Sequence, residues 1–522
     1  MRNLAGQDQT RAADAYARGL WGSATLAGAL ADAARDAPGR VLMVDGDITL
    51  TARELHDRAR ALAMRLTEWM PTGSVVSFML PNWHEAAIIY LGATLAGMVV
   101  NPILPSLRDR ELRFILDDAH SRAIFIPAQF GTHDYAAMLT RVCGQLDTPP
   151  EVVVLRGDPG PHHTFDTRPA APDRDLPALD PDDIRMIMYT SGTTGRPKGV
   201  LHSHNSINAL ILQLRDHWMI DPGDTFLVPS PIAHIGGSIY AFECPLLLGS
   251  TAVLMQRWNA EHGVALMSER KCTHMAGATP FLEQLLGAAE RAGTRLPDLK
   301  VFICGGASVP PSLIRRASGY FERAVVSRVY GSTEVPVTTV GALEPGSVEH
   351  AAETDGRPGI AEIRLVSGEI RARGPQMLLG YLHPEDEIES FDEDGFFRTG
   401  DLGRWVDGDY LQVTGRAKDL IIRNGENISP KEVEDILVGH LGIVEAAVVG
   451  VPDDRTGERA CAVLVTADGR CPDVSEVGRV LAEHGLARFK TPERVEVWDA
   501  LPKNDAGKVL KHHIRATLKG HD

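Results

Sequence analysis

One loop rich in glycine and hydroxyl side chains, residues 190–199, constrains the fold of this chain more than any other stretch. It reads TSGTTGRPKG and lies between two apolar runs, 184–189 and 200–201, so it hangs off a strand. Glycine lets backbone N–H groups approach an anion closely, the hydroxyls add hydrogen-bond donors, and Lys198 adds a positive charge. The stretch therefore indicates a phosphate-binding loop. Taken alone, however, such a loop is more often a glycine-rich surface hairpin.

The loop is not a Walker A motif. In that motif the lysine directly follows the last glycine, precedes Ser or Thr, and opens a helix. Here Arg196 and Pro197 stand between Gly195 and Lys198, and residues 200–202 have the pattern of a strand. The sequence therefore predicts a loop between two strands.

Composition and charge limit the partners. The 522 residues are 44% apolar and 23% charged, as in ordinary globular proteins, and the length fits about three or four domain-sized units. The net charge is −16 without a cluster of lysine or arginine, which argues against nucleic acid or an anionic membrane as the main partner. An anionic ligand must then be held by local groups.

The sequence shows no pattern typical of a secretory signal, a transmembrane segment or a zinc site. The first 21 residues include acidic side chains and no apolar segment, unlike a secretory signal. The longest apolar stretch, 86–100, is short for a bilayer, so a buried helix that runs into a strand is predicted instead of a transmembrane segment. The six cysteines lack CxxC spacing, so neither a zinc site nor a disulfide framework is indicated, and a reducing, cytoplasmic compartment is expected.

Strand and helix patterns alternate along the first half of the chain. A threonine-capped amphipathic helix over 52–69 precedes a buried strand over 75–80, and the alternation continues through 123–126. This order is typical of βαβ units on a mostly parallel sheet. Residues 145–183 are rich in proline and aspartate and predict an irregular connection with one strand, 152–155.

Two later strands, 301–304 and 327–330, each end in a loop of small residues. The loops read GGAS (305–308) and GSTE (331–334). In open α/β sheets, ligands bind beyond the carboxyl ends of strands. Glu334, placed among hydroxyls, suits Mg²⁺, which prefers one or two carboxylates together with phosphate oxygens.

The pattern of predicted secondary structure changes twice in the C-terminal part of the chain. From residue 356 onward, strands shorten and turn signals become dense, which predicts a small β-rich subdomain. The last hundred or so residues alternate strand and helix again, which predicts a small α/β domain. We place the boundary at Arg416, giving domains 1–415 and 416–522.

Seven motifs occur in the order typical of the adenylate-forming superfamily, which the chain resembles over essentially its whole length. This superfamily contains acyl-CoA synthetases, firefly luciferase and the adenylation domains of peptide synthetases. The motifs are YTSGTTGRPKGV, PIAHIGG, GGA, YGSTE, FRTGD, GRAKDLIIRNGENI and LPKNDAGKVLK. Each motif alone is weak, but their order along the chain makes an incidental surface hairpin very improbable. The implied fold is α/β: a large N-terminal domain of two α/β subdomains and a β-rich subdomain, followed by a small mobile α/β domain.

The resemblance implies an ATP and Mg²⁺ site. The implied nucleotide-binding residues are Thr190, Ser191, Gly192, Thr193, Thr194, Lys198, Gly305, Gly306, Ala307, Tyr330, Gly331, Ser332, Asp401 and Arg416. Thr333 would bind the α-phosphate, Glu334 the magnesium ion, and Asp401 with Arg416 the ribose hydroxyls. Lys508 would contact both the substrate carboxylate and the α-phosphate, because a cation between two anions lowers their repulsion. Alone, a lysine there would more often be a solvated surface residue.

Further residues are implied by the same resemblance. Gly425 would lie close to the pantetheine of CoA, and Lys418 would be the hinge on which the C-terminal domain turns. His234 would be a further catalytic residue, although a lone histidine near apolar residues is about as often simply packed. The implied acyl pocket consists of Ile235, Gly236, Gly237, Val335 and Pro336. One departure from the family is a short stretch between residues 356 and 374, which leaves the shape of the β-rich subdomain open.

The function implied is that of a two-step carboxylate–CoA ligase. A carboxylate and MgATP would give acyl-AMP and pyrophosphate, and CoA would then displace AMP. The segment RNGENISPKEVE resembles acyl-CoA ligases, in particular those for medium-chain fatty acids and cyclohexanecarboxylate. The expected pocket segments 234–240, 276–281 and 335–339 lack lysine and arginine, so a second carboxylate would be buried unpaired and an apolar monocarboxylic acid is expected.

Two alternatives remain open at this point. A stand-alone adenylation enzyme that loads a carrier protein would share every motif. A catalytically silent nucleotide-binding regulator is disfavoured because Lys198, Glu334, Asp401, Arg416 and Lys508 are all present. The resemblance also allows a homodimer.

Overall fold

The structure, a computed structural model, describes residues 9–166, 175–190, 196–306, 309–453, 455–504 and 507–519. The α-helices of this part are α1 (Gln9–Ala17), α2 (Leu26–Asp36), α3 (Ala52–Trp69), α4 (His84–Leu95), α5 (Asp109–Asp118), α6 (Tyr135–Cys143), α7 (His204–His217), α8 (Ile235–Ser238), α9 (Cys244–Leu247), α10 (Ala260–Arg270), α11 (Thr279–Ala292), α12 (Pro311–Tyr320), α13 (Val348–Glu353), α14 (Pro430–Leu437), α15 (Val474–Glu483) and α16 (Lys511–Lys519). Short 3₁₀ turns occur at Pro384–Asp386, Ala417–Asp419 and Arg488–Lys490, and a π-helical turn at Ile239–Glu243.

The strands of the same part are β1 (Val41–Asp45), β2 (Ile48–Thr51), β3 (Val75–Phe78), β4 (Val99–Pro102), β5 (Ser121–Pro127), β6 (Gln129–Phe130), β7 (His133–Asp134), β8 (Glu151–Leu155), β9 (His163–Thr164), β10 (Ile184–Thr190), β11 (Lys198–Ser203), β12 (Thr225–Val228), β13 (Thr251–Leu254), β14 (His274–Gly277), β15 (Val301–Cys304), β16 (Val325–Arg328), β17 (Glu362–Val366), β18 (Glu369–Arg373), β19 (Gly380–Tyr381), β20 (Phe397–Val406), β21 (Tyr410–Arg416), β22 (Ile421–Arg423), β23 (Glu426–Ile428), β24 (Ile443–Asp453), β25 (Gly457–Thr466) and β26 (Arg494–Val497).

Two large sheets form the N-terminal part. The first has the order β16-β15-β14-β12-β13-β1-β2 and is parallel except for β2. The second has the order β19-β11-β10-β4-β3-β5-β8-β9, with antiparallel pairing only where β10, β11 and β19 meet. The predicted βαβ units are therefore confirmed. The carboxyl ends of neighbouring parallel strands bring the loops after β15 and β16 to the same edge of the first sheet.

The main hydrophobic core joins the two large sheets through α4. Residues 86–95 of this helix are all buried, which is expected for a helix that is apolar on every side. The core contains Phe226 and Val228 of the first sheet together with Phe78 and Val100 of the second. The prediction of a buried helix that runs into a strand is confirmed by α4 and β4. Within the described residues, no helix combines the length and the apolar character needed to cross a bilayer.

A third, antiparallel sheet has the order β17-β18-β20-β21 and is the predicted β-rich subdomain. The stretch that is short in comparison with the family forms a tight hairpin here. Its two turn residues, Ser367 and Gly368, have φ values of 52° and 83°, as a two-residue hairpin turn requires.

The fourth sheet contains β23, β22, β25 and β24 in that order, with β26 parallel to β25. Helices α14 and α15 pack on one face of this sheet, and α16 packs on the other. The chain leaves the third sheet at Arg416, passes through the 3₁₀ turn Ala417–Asp419 and enters the fourth at Ile421. The predicted α/β class is therefore confirmed, whereas the domain limits 1–415 and 416–522 and the mobility of the second domain stay predictions.

Candidate active site

The phosphate-loop candidate is the connection of an antiparallel hairpin. Strands β10 and β11 pair in register, and the last pair is Thr190 with Lys198. The two ends of the loop are therefore held side by side at the edge of the second sheet. Four of the predicted loop residues (Ser191, Gly192, Thr193 and Thr194) lie outside the described residues, and so does Ala307.

Two cations of this hairpin share one carboxylate. The guanidinium of Arg196 lies 2.7 Å from Asp386 Oδ2, and Lys198 Nζ lies 3.8 Å from Asp386 Oδ1. The Asp386 side chain is mostly buried, with 11% of its surface exposed, whereas that of Arg196 is 40% exposed. An anion that enters the loop therefore competes with Asp386 for both positive charges.

Tyr381 connects Lys198 to the GSTE loop. Its hydroxyl donates a hydrogen bond to Glu334 Oε1 at 3.0 Å, and Lys198 Nζ lies 4.9 Å from the centre of its ring. Burial raises the pKa of Tyr381, and the neighbouring Glu334 carboxylate raises it further. The phenol therefore stays protonated and remains a donor, which holds Glu334 close to the cation of the hairpin.

The GSTE loop is wound tightly. A Cβ atom on Gly331 would lie 2.6 Å from the backbone nitrogen of Val337, so only glycine fits there. The backbone N–H of Val335 donates to Ser332 Oγ at 3.1 Å, and the N–H of Ser332 donates to the carbonyl of Val335 at 3.2 Å. These bonds fix the residues that flank Thr333 and Glu334.

The strand before this loop ends earlier than predicted. Strand β16 stops at Arg328, and the N–H of Tyr330 donates to Thr339 Oγ1 at 2.8 Å instead of continuing the sheet. Arg328 itself is buried and pairs with Asp355 at 2.9 Å. The chain is thereby turned out of the sheet two residues before the loop.

Tyr330, Asp401 and Arg416 form a second polar group. The Tyr330 hydroxyl donates to Asp401 Oδ2 at 2.8 Å, and Arg416 Nε lies 2.9 Å from Asp401 Oδ1. Asp401 and Arg416 are direct partners in the register of β20 and β21. Burial, together with the Asp401 charge, raises the pKa of Tyr330. A mostly buried carboxylate is thus held between a phenol and a guanidinium.

Lys508 reaches this group from the far end of the sequence. Its backbone N–H donates to Asn504 Oδ1 at 2.8 Å, which closes the turn that carries it. Gly507 packs against Pro280, since a Cβ atom there would lie 3.3 Å from Pro280 Cγ. The pKa of Lys508 is lowered to about 8, mainly by burial and next by the Arg416 charge, while the Asp401 charge opposes the fall. The lysine therefore lies within electrostatic range of both members of the Asp401–Arg416 pair.

The residues predicted to line the acyl pocket differ in how much free space surrounds them. A Cβ atom on Gly237 would lie 2.2 Å from the carbonyl oxygen of Pro231, so this glycine is required by packing. A Cβ atom on Gly236 would meet no atom of the described chain within 4 Å, so this position borders open space. Val335 is 1% exposed and packs in a core cluster of the third sheet. Of these three, Gly236 alone faces room for a ligand.

Further positions in the predicted pocket are His234, Ile235 and Pro336. Ile235 is partly buried at the start of α8 and packs against the main core, and Pro336 is buried. Burial lowers the pKa of His234, so its imidazole is neutral. Its Nε2 atom is buried and has no hydrogen-bond partner within the part of the chain that the structure covers. The described residues therefore leave this nitrogen unsatisfied.

Gly305 and Gly306 follow β15 at the same sheet edge as the GSTE loop. A Cβ atom on Gly305 would lie 2.9 Å from the carbonyl oxygen of Val329, and Gly306 has a φ of 81°. Both positions therefore favour glycine. The absence of side chains there leaves only backbone atoms beside Val329.

Within the described residues, Gly425 lies away from this group, whereas Lys418 is coupled to it by charge alone. Gly425 lies at the tip of the β22–β23 hairpin with a φ of 82°, and no described atom lies within 4 Å of its Cβ position. Its neighbour Asn424 donates to the carbonyl of Thr456 in the same C-terminal part. Lys418 is exposed in the turn between the third and fourth sheets, and burial together with Arg416 lowers its pKa.

Three residues of the site were missed by sequence reasoning: His202, Tyr381 and Asp386. Tyr381 pairs with Val200 in the register of β11 and β19, which places its ring beside the hairpin. No local pattern marks these residues. The only available signal was their position near motifs that had been recognised.

Two family models match most of this chain. The family model described as AMP-binding enzyme matches residues 30–382, and the model of the AMP-binding enzyme C-terminal domain matches residues 432–508. The medium-chain fatty-acid–CoA ligase of Escherichia coli K12 is 33% identical over 527 aligned residues, covering 96% of this chain and 92% of that protein.

A second relative and a solved structure agree. The 3-[(3aS,4S,7aS)-7a-methyl-1,5-dioxo-octahydro-1H-inden-4-yl]propanoyl:CoA ligase of Rhodococcus jostii RHA1 is 34% identical, with 95% of this chain and 99% of that protein covered. The crystal structure of ATP-bound MatB from Rhodopseudomonas palustris superposes with a TM-score of 0.83 at 28% identity and covers 94% of this chain and 99% of that chain.

Proposed function

The chain belongs to the family of AMP-binding enzymes, and from this premise we propose that it is an AMP-forming carboxylate–CoA ligase. In the first half-reaction a carboxylate oxygen attacks the α-phosphorus of ATP, the bond to the bridging oxygen breaks, and acyl-AMP and pyrophosphate form. In the second, the CoA thiol attacks the acyl carbon and releases AMP, leaving a thioester. Two relatives that align along almost the whole chain carry the names of CoA ligases.

The observation that carries this proposal is that Lys508 lies close enough to Arg416 and Asp401 for their charges to shift its pKa. A lysine from the last turn of the C-terminal part lies within electrostatic range of the buried Asp401–Arg416 pair. In our proposal Asp401 and Arg416 bind the ribose hydroxyls. Lys508 places its ammonium between the substrate carboxylate and the α-phosphate, where it stabilises the charge of the transition state.

The phosphates of ATP would be bound by the hairpin loop 190–198, with Lys198 as its cation. The adenine would lie on the backbone of residues 305–307 beside Tyr330, where two glycines leave no side chain in the way. Gly331 and Ser332 would complete the pocket. Asp386, which now holds Arg196 and Lys198, would give up these cations to the triphosphate.

The oxygen donors near the phosphates fit Mg²⁺. Glu334 is held by Tyr381 through one carboxylate oxygen, and Thr333 contributes a hydroxyl in the same loop. Carboxylate and phosphate oxygens are the ligands that Mg²⁺ prefers. When bound, the ion would neutralise part of the triphosphate charge, with Glu334 as its protein ligand and Thr333 on the α-phosphate.

We further propose an apolar monocarboxylic acid as the substrate, of medium-chain, alicyclic or aromatic type. Gly236 borders open space, and the candidate pocket segments 234–240, 276–281 and 335–339 contain no lysine or arginine. A second carboxylate would be buried there without a partner, at a cost of several kcal/mol. The names of the two relatives specify a fatty acid and a ring-bearing propanoate.

The second half-reaction would require a different arrangement of the two parts of the chain. Here Lys508 lies within electrostatic range of Arg416 and Asp401, whereas the Gly425 hairpin, proposed to lie near pantetheine, has no contact with them within the described residues. We propose that the C-terminal part turns about Lys418. A cytoplasmic location is also proposed, because all six cysteines fall within the described residues and none of them forms a disulfide bond there.

The test is a panel of carboxylic acids with pyrophosphate release as the first readout and acyl-CoA formation as the second. Medium-chain and alicyclic monocarboxylates should be turned over faster than dicarboxylates and amino acids. The opposite order would contradict the proposed pocket. Thioester formation with holo-carrier protein but not with CoA would show that the enzyme is a stand-alone adenylation enzyme instead.

The role of Lys508 is tested with the same panel. Lys508→Ala should lose orders of magnitude in acyl-AMP formation yet still convert supplied acyl-AMP and CoA to the thioester. Lys519→Ala, which removes an exposed lysine of α16, is the matched control and should leave both half-reactions unchanged. Equal damage to both half-reactions by Lys508→Ala would reject the assigned role.

A further inference from the structure

The buried imidazole of His202 connects the phosphate hairpin to the GSTE loop. His202 lies on β11, four residues after Lys198, and is 0% exposed. Its Nε2 atom is 2.8 Å from the carbonyl oxygen of Thr333, 131 residues away in sequence, and its Nδ1 atom is 3.2 Å from Ser206 Oγ. One side chain thus spans two segments that the proposed function places on the phosphates of ATP.

The hydrogen bonds define the protonation state of His202. A carbonyl oxygen only accepts, so Nε2 carries the proton and donates to Thr333, while Nδ1 accepts from the hydroxyl of Ser206. Burial lowers the pKa of His202 to about 4, so the ring is neutral at neutral pH. The bond to Thr333 is therefore that of a fixed, uncharged donor.

Ser206 is itself fixed by the start of α7. The N–H of Ser203 donates to Ser206 Oγ at 3.0 Å, and the N–H of Ser206 donates to Ser203 Oγ at 3.1 Å, which is a capping box. The ring orientation of His202 is thereby set by the end of β11 and the first turn of α7. It does not depend on the GSTE loop that the ring supports.

We propose that His202 is a positioning residue for adenylation: it holds the peptide between Thr333 and Glu334 at a fixed place relative to Lys198. This inference rests on the function proposed above. The carbonyl of Glu334 is held separately by the N–H of Leu378 at 2.7 Å, and its carboxylate by Tyr381. Without His202, Thr333 would lose its anchor while Glu334 kept two, so the two groups would no longer be set together for the α-phosphate and Mg²⁺.

Four substitutions separate positioning from packing: three at His202 and one at its partner Ser206. In His202→Gln the side-chain amide reaches the place of Nε2 and can still donate to Thr333. In His202→Asn the amide reaches only the place of Nδ1, so the bond to Ser206 is kept and that to Thr333 is lost. His202→Leu keeps the bulk of the ring and loses both bonds. Ser206→Ala removes the other partner of the ring.

We expect His202→Asn and His202→Leu to lower the kcat of pyrophosphate formation at least tenfold and to raise the Kd for MgATP, with little change in the KM for the acid. His202→Gln should recover most of both losses. All variants should still convert supplied acyl-adenylate and CoA to the thioester, since that step uses neither pyrophosphate nor its magnesium ion. Thermal denaturation monitors folding. If a variant shows no unfolding transition, it is left out, and His202→Gln is compared with Ser206→Ala instead.

The outcomes are distinct. Wild-type-like kcat and MgATP affinity in folded His202→Asn, or no recovery in His202→Gln, would overturn the inference. A wild-type protein that binds MgATP but adenylates no acid would overturn the proposed function. In that case the Kd for MgATP of the same variants still decides whether His202 positions the loop.

Discussion

The adenylation half-reaction should lose rate above pH 8 because the ammonium group of Lys508 loses its proton there. In the structure the pKa of Lys508 falls from 10.5 to about 8. Burial is the largest cause, and the charges of Arg416 and Lys418 add to it, whereas Asp401 and Asp419 oppose it. The proposed role requires the charged form, so the titration of this side chain should appear directly in the rate.

The size of the effect follows from this pKa. A fall from 10.5 to about 8 corresponds to about 3 kcal/mol against the charged form. Roughly nine-tenths of Lys508 is protonated at pH 7 and roughly one-tenth at pH 9, so the rate should fall about tenfold per pH unit beyond pH 8. The cost of burying this charge is full below about pH 8 and falls away as the pH rises from 8 towards 10.5. Bound ATP favours the charged form and should move the fall to higher pH.

The assay measures pyrophosphate release between pH 6 and 10 at limiting and at saturating ATP. The value of kcat/KM for ATP reports the free enzyme and should fall with an apparent pKa of about 8, whereas kcat should fall later. Lys508→Arg provides the control, because its guanidinium stays charged throughout and its residual rate should show no such fall. A wild-type profile that stays flat to pH 10 would refute the reasoning, since Lys508 would then not be buried beside Arg416 before ATP binds.

Three further predictions concern neighbouring features. Gly236→Ala should lower kcat/KM for bulky acids roughly tenfold relative to small ones without changing Tm, because its methyl group fills open space. Gly237→Ala should instead lower Tm, since its Cβ atom would lie 2.2 Å from a backbone oxygen. Identical behaviour of the two variants in rate and melting assays would contradict this prediction. Asp386→Asn should lower the KM for ATP severalfold, because it releases Arg196 and Lys198 from partly exposed ion pairs worth about 1 kcal/mol each. An increased KM would contradict the idea that Asp386 and the phosphates compete for these two cations. Lys418→Pro should retain pyrophosphate formation and lose thioester formation, because proline fixes φ near −65° at the proposed hinge; survival of both half-reactions would place the hinge elsewhere.

Much of the fold could be predicted because its signals are local. The helix over 52–69 begins at a threonine, and the structure shows Thr51 in a capping box with Glu54. The apolar spacing of that helix gave its buried face, including Leu55 and Leu62. Hairpin β10–β11 was likewise marked by two apolar runs around a glycine-rich loop. Each of these features depends on residues within a few positions of one another.

The rest of the candidate site could not be predicted because it depends on contacts between distant residues. The bond from Tyr381 to Glu334 spans 47 residues, and the pair of Arg196 with Asp386 spans 190. Such contacts are set by the register of β11 with β19, which a single sequence does not encode in any local pattern. The early end of β16 has the same origin, since Tyr330 leaves the sheet to bond Thr339.

The charges around Lys508 give a physical reason for the proposed turn of the C-terminal part. The charges of Arg416 and Lys418 lower the pKa of Lys508, whereas those of Asp401 and Asp419 oppose this. A substrate carboxylate and MgATP would bring about three negative charges to this site and stabilise the arrangement seen here. Once magnesium pyrophosphate leaves, the acyl-adenylate retains a single negative charge. The mutual repulsion of the cations is then less compensated, so the free energy that holds Lys508 in place falls after the first half-reaction, when thioester formation needs that face to open.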